Sequence, residues 1–130
     1  LKNVKILNQN VYILFDKMNL EVCFEEIWLL FPDPWPKNRH HKRRLIKTIF
    51  LKKIHPLLKS QSKIFISTDS ASYLTSILNS IYNIKSLFKW QNDRPHNWIY
   101  EKHNLPQTKF FKKAKDSYRL SFFIELAKIS

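Results

Sequence analysis

One stretch of this chain could carry chemistry: Phe31-Pro32-Asp33-Pro34-Trp35-Pro36-Lys37, followed by Arg39-His40-His41-Lys42-Arg43-Arg44. Pro32 and Pro34 restrict the backbone on either side of Asp33, so its carboxylate is positioned with little entropy left to lose on ligand binding. Trp35 offers a flat face for stacking on a base, and Lys37 with the bases after it can hold phosphates. A carboxylate beside a basic platform suits a reaction on a nucleobase that develops positive charge. Taken singly, Pro-Asp-Pro is equally compatible with a rigid turn, and Trp35 with a packed ring.

The elements that must position these residues follow from the patterning. Lys2 to Leu7 predicts a short strand, Asn8-Gln9-Asn10 breaks it, and Val11 to Met18 predicts a short helix. The continuous apolar run ending at Phe31 predicts a strand over 26–31 buried on both faces, closed by the proline cluster. Leu45, Ile46, Ile49, Phe50, Ile54 and Leu57 recur at helical spacing and predict a helix from Asn38 or Arg39 to about Leu58. Ser62 to Thr68 reads as a strand, Asp69-Ser70 as the cap of a helix to about Tyr82, and Ile84 to Trp90 as a weaker strand. Gln91 to Gln107 reads as a long loop of the functional or mobile kind, and Arg119 to Ala127 alternates as a last strand. Strand–helix alternation implies an α/β fold with a parallel sheet. Ligands of such sheets lie beyond the carboxyl ends of the strands, where Asp33 and Asp69 fall, and Asn10 likewise follows the expected first strand.

Composition narrows the partner. The 130 residues are 44% hydrophobic and 15% aromatic, which excludes a disordered tail and suits one folded unit. Net charge is +13, and ten bases with no acid lie between Pro34 and Lys63, which points to nucleic acid rather than to a solvated face of mixed sign. No apolar stretch approaches the roughly 18 to 20 residues of a membrane span, and the N-terminus has no signal-peptide pattern, so the expected location is cytoplasmic and no membrane partner is expected. The single cysteine, Cys23, excludes an internal disulfide, and the five histidines show no metal-ligand spacing, so no metal is expected. There is no glycine, where average usage of about 7% would supply about nine.

The run Pro32-Asp33-Pro34-Trp35-Pro36-Lys37-x-Arg39-His40-His41-Lys42-Arg43-Arg44 resembles, almost letter for letter, the signature of bacterial tRNA (guanine-N7-)-methyltransferases. Ser67-Thr68-Asp69 with Tyr73 resembles the family's Thr-Asp segment, and Pro106-Gln107-Thr108-Lys109-Phe110 its C-terminal Pro-x-Thr-Lys-Phe element. The resemblance implies a Rossmann-like α/β sheet and transfer of a methyl group from S-adenosylmethionine to N7 of a guanosine in the tRNA variable loop. It implies Asp33 as the catalytic carboxylate beside both cofactor and guanine, and Asn10 on the cofactor's adenine side. Lys37, Asp69, Thr108, Lys109 and Phe110 are implied as substrate-binding. Arg39, Lys42, Arg43 and Arg44 are assigned to tRNA phosphates on electrostatic grounds.

Departures from the family pattern bear on what this chain can do. Phe111 stands where the family continues with glutamate. Ser60-Gln61 and Lys115-Asp116 stand near positions where glycines are usual. Residues 1–130 are expected to form the C-terminal part of a single methyltransferase domain, without the first two strands and the glycine-rich loop. The second reading is therefore a non-catalytic tRNA-binding remnant, or one half of a split enzyme whose N-terminal half is separately encoded.

Overall fold

The computed structural model describes residues 2–18 and 23–129. In chain order it has α1 (Val11–Lys17), β1 (Phe24–Leu30), α2 (Thr48–Ile54), β2 (Leu58–Thr68), α3 (Ala71–Asn83), β3 (Phe88–Trp90), α4 (Lys109–Asp116) and β4 (Phe122–Lys128). The four strands form one sheet in the order β1-β2-β4-β3. Residues of alternate parity face opposite layers, as a pleated strand requires. Ile64, Ile66, Ile124 and Leu126 pack beneath α1, α2 and α3, whereas Phe65 and Phe123 face Tyr100 and Phe111 on the other side. The α/β class with a Rossmann-like sheet stands.

The all-parallel expectation does not. β1 and β2 are parallel, but β4 runs antiparallel to both β2 and β3. Alternating helix and strand signals predict crossovers only while helices connect adjacent parallel strands, and β4 arrives from a loop and a helix on the second face. Its register, with Thr68 opposite Phe122 and Ile66 opposite Ile124, brings the start of β4 to the carboxyl end of β2.

Other boundaries moved for identifiable reasons. Lys2 to Leu7 is not a strand; its residues are exposed, Ile6 at 91%, and no strand among the described residues lies beside it to complete a ladder. The helix expected up to Leu58 is divided into a 3₁₀ helix over Asn38–Arg43, an extended link and α2. Arg44 and Lys47 have extended backbone with ψ of 133° and 166°. The Ile46 amide donates to the Tyr73 hydroxyl at 2.9 Å, so a tertiary bond replaces a helical one. β3 is shortened because 84–87 turns, the Leu87 amide donating to the Ile84 carbonyl at 2.8 Å.

The 91–107 segment is well anchored. The Asn92 amide donates to the carbonyls of Asn97 (3.0 Å) and Phe123 (2.7 Å), and its oxygen accepts from Trp90 Nε1 (2.9 Å) and the Glu125 amide (2.8 Å). One buried side chain thus satisfies four groups and ties the segment to β4. Two 3₁₀ turns, Pro95–Asn97 and Tyr100–Lys102, complete it, with Tyr100 buried.

Two of the non-glycine residues at positive φ stand near the positions the sequence singles out for missing glycines. Gln61 (φ 64°) lies within the register break where Phe24 pairs with Leu58 but Glu26 pairs with Lys63. Tyr118 (φ 59°) follows α4 in a Schellman turn, with the Arg119 amide donating to the Ala114 carbonyl at 2.9 Å. A left-handed backbone is costly for a side chain with Cβ. Gln61→Gly is therefore expected to raise stability by about 0.5–1 kcal/mol, read as a shifted urea midpoint with unchanged slope.

Candidate functional site

The parallel pairing of β1 and β2 builds the floor of the site. Leu30 lies opposite Ser67, and the Phe31 amide donates to the Ser67 carbonyl at 2.9 Å, so Asp33 and Asp69 leave the sheet side by side. The loop after β1 is held in a strained shape, with Phe31 at φ 51° and Trp35 at φ 41°. Asp33 is exposed and its Oδ1 accepts from the Trp35 amide at 3.2 Å, an Asx turn that leaves its other oxygen free to face a ligand.

Arg44 fastens this loop from below. Its Nε donates to the Pro34 carbonyl at 2.7 Å and its Nη2 to Ser72 Oγ at 2.9 Å, while the guanidinium lies 5.0 Å from the centre of the Tyr73 ring. Arg44 is only 4% exposed. The expectation that it holds a tRNA phosphate is therefore corrected: its planar fork is committed to one backbone carbonyl and one hydroxyl inside the fold. Burial pushes the Tyr73 phenol up, opposed by the Ile46 hydrogen bond and the Arg44 charge, so the hydroxyl that receives the Ile46 amide stays protonated.

A cavity of about 430 Å³ opens at the carboxyl ends of β1 and β2, lined by Phe31, Pro32, Asp33, Pro34, Asp69, Phe110, Lys113 and Arg119. Because β4 is antiparallel, the residues leading into it reach this same end. Arg119 Nε donates to Asp69 Oδ2 at 2.8 Å. Ser70 caps α3, its Oγ accepting from the Tyr73 amide at 3.1 Å, so Asp69 is not spent on the cap. From the second face α4 adds Phe110 and Lys113. Its cap is Thr108, whose Oγ1 accepts from the Phe111 amide at 3.1 Å. Phe111 is the third residue of that helix, 2% exposed and 4.7 Å from the Tyr100 ring centre, so it serves the core and not the cavity.

A family described as "Putative methyltransferase" matches residues 1–122 of this chain. The chain belongs to this methyltransferase family. A curated tRNA (guanine-N(7)-)-methyltransferase of Leptospira interrogans is 31% identical over 125 residues, covering 96% of this chain and 56% of that protein. One from Buchnera aphidicola of Schizaphis graminum is 38% identical over 115 residues, 88% of this chain and 47% of its own length. One from Hyphomonas neptunium is 35% identical over 98 residues, 75% and 44% respectively. The chain thus spans about half the length of the curated relatives it matches.

Within this methyltransferase family chain, Asp33, Asp69 and Phe110 of the expected site residues meet in the cavity, while Lys37, Thr108 and Lys109 do not line it. Lys37, Arg39, Lys42 and Arg43 are exposed on and beside the 3₁₀ helix. The Arg43 guanidinium lies 5.1 Å from the Trp35 ring centre and His40 sits edge-on to that ring at 5.8 Å, which takes up part of the surface that a base could stack on. Asn10 does not line the cavity, and its Oδ1 caps α1 by accepting from the Tyr12 amide at 2.9 Å. Of the residues that the family resemblance implies beside an adenosyl cofactor, Asp33 lines the cavity, whereas Asn10 is engaged in its cap and residues 2–10 around it are exposed.

Sequence reasoning missed Lys113 and Arg119. Reading 109–116 as a helix would have found Lys113, since Phe110 and Lys113 are three apart and share a face. No local signal marks Arg119, which reaches Asp69 across 50 residues of chain.

Proposed function

We propose that this chain is the C-terminal part of the single domain of a tRNA (guanine-N7-)-methyltransferase, acting in the cytoplasm on a guanosine of the tRNA variable loop. The observation that carries this reading is Asp33, held on a proline-bracketed, strained loop at a cavity it shares with Asp69, directly followed in sequence by an exposed basic ridge. S-adenosylmethionine, the donor the family resemblance implies, supplies an electrophilic methyl on sulfur. N7 of guanine has an in-plane lone pair and no proton, so the acceptor needs no general base. It needs orientation, and stabilisation of the positive charge that the purine acquires. Asp33 is suited to the second task, and Asp69 with Phe110 to holding the base. Lys37, Arg39, Lys42 and Arg43 would take backbone phosphates, with Thr108 and Lys109 closing from the α4 side.

The full-length protein bearing this chain, given S-adenosylmethionine and tRNA lacking the modification, should yield 7-methylguanosine at a variable-loop position on nucleoside mass spectrometry and aniline cleavage. A methyl group on another atom, or none, would remove this reading. The exposed engagement of Asn10 in its cap favours one alternative, a tRNA-binding remnant or one half of a split enzyme, which predicts tRNA binding without methylation. Reversing Lys42 and Arg43 together to Glu should weaken tRNA binding and reduce the slope of log affinity against log salt by about 2, since each released phosphate contact contributes nearly one. An unchanged slope would show that the ridge does not touch tRNA.

A further inference from the structure

Arg119 is assigned no role by the resemblance, yet it makes an ion pair in the cavity, with Asp69. The pair is side-on: Nε meets Oδ2 at 2.8 Å, leaving Asp69 Oδ1 and the terminal nitrogens of Arg119 without a bond to one another. Both side chains keep access to solvent, 45% for Arg119 and 21% for Asp69. Ion pairs that open to water contribute roughly 0–1 kcal/mol to folding, so stability does not account for its geometry. The backbone that delivers Arg119 is fixed by the same Schellman turn. Tyr118 takes the left-handed C′ position after α4, and the Arg119 amide closes on the Ala114 carbonyl, so the end of α4 sets where the Arg119 side chain starts.

We propose that Arg119 positions Asp69 for reading the donor edge of a purine. One carboxylate oxygen is locked by Nε, and the other is presented to a base carrying N1–H and N2–H₂ groups, which two acceptor lone pairs in a fixed plane can receive. Guanine has both donors, adenine has neither in that arrangement, and hypoxanthine lacks the amino group. Arg119 therefore sets specificity without touching the atom that is methylated. This rests on the guanosine reading of the site, and it deepens that reading by naming the group that orients the carboxylate.

The test is a binding cycle that does not depend on methyl transfer. In the full-length protein, the affinities of GMP and IMP are measured by isothermal titration calorimetry for the parent, Arg119→Ala, Arg119→Lys, Asp69→Asn and the double variant Arg119→Ala/Asp69→Asn. GMP should bind the parent about tenfold more tightly than IMP, and each single removal should lose most of that preference. The double variant should be no worse than Asp69→Asn alone, because Arg119 acts through Asp69. Arg119→Lys should recover part of the loss, since an ammonium restores the charge but not the fork. Additive losses, an unaltered preference in Arg119→Ala, or a parent that binds neither nucleotide would overturn the proposal. A parent that binds GMP with this coupling but never methylates tRNA would sink the enzymatic reading and leave the role of Arg119 standing.

Discussion

Asp33→Ala in the full-length protein should lower kcat for tRNA methylation by about 10²–10³-fold while tRNA affinity stays within about twofold. The size follows from what the step needs. On the proposed reading the acceptor purine would gain positive charge, and the barrier would fall only through interactions that strengthen as that charge develops. A carboxylate fixed before the substrate binds does this without reorganising. Asp33 is fixed in that sense, with prolines on both sides and Oδ1 taken by the Trp35 amide. Affinity should hardly change, because the exposed bases proposed to take phosphates, Lys37, Arg39, Lys42 and Arg43, do not line the cavity. Asp33→Asn is the sharper companion, since it keeps the shape and the turn and removes the charge. Single-turnover methylation and filter binding on the same preparations decide the matter. Equal losses of affinity and rate would make Asp33 a binding residue, and loss of neither would remove it from the site.

Arg44→Ala should destabilise the protein by about 2–4 kcal/mol, the largest effect on folding expected at any basic residue of the signature run. The substitution deletes a buried guanidinium, leaves the Pro34 carbonyl and the Ser72 hydroxyl without their donors, and uncovers the Tyr73 ring. Arg44→Lys should recover less than half of the loss, because one ammonium cannot reach both acceptors with the geometry of a fork. Urea denaturation should show a lower midpoint, and the salt slope of tRNA binding measured well below that midpoint should match the parent. A stable Arg44→Ala protein with a reduced salt slope would return Arg44 to the phosphate contacts. The adjacent Arg43 makes the contrast: it is exposed over Trp35, so its removal should cost affinity and little stability.

Neighbours so alike in sequence show how far a reading of residue types reaches. Arg43 and Arg44 carry the same charge in the same run, and only the path of the backbone tells them apart. At Arg44 the chain leaves its 3₁₀ helix with ψ of 133°, which turns this one side chain under the Asp33 loop. The helix expected through this region failed for the same reason. Periodicity found most of the apolar stripe, since Ile46, Phe50, Ile54 and Leu57 are buried, but it wrongly included Ile49, which is 67% exposed, and it had no access to the Tyr73 hydroxyl that takes the Ile46 amide. Phe111 is the converse case. Its departure from the family glutamate was visible at once, and its meaning was not until Tyr100 stood 4.7 Å away.

The sequence by itself determined the class of fold, the strand that leads into Phe31, the stiff proline-bracketed Asp33, the basic sequel and the family. These are local properties: restricted φ at proline, apolar continuity and the order of side chains along the chain. It did not determine that strand's burial, because β1 lies at the edge of the sheet with Trp28 40% exposed and no residue fully buried, not covered on both faces as its apolar run predicts. Tertiary structure alone decided which charges converge. An antiparallel β4 brings Arg119 to Asp69 at the carboxyl end of β2, whereas a parallel one would have carried it to the far end of the sheet. Strand direction is set by pairing between segments far apart in the chain, and no local pattern of residues encodes it.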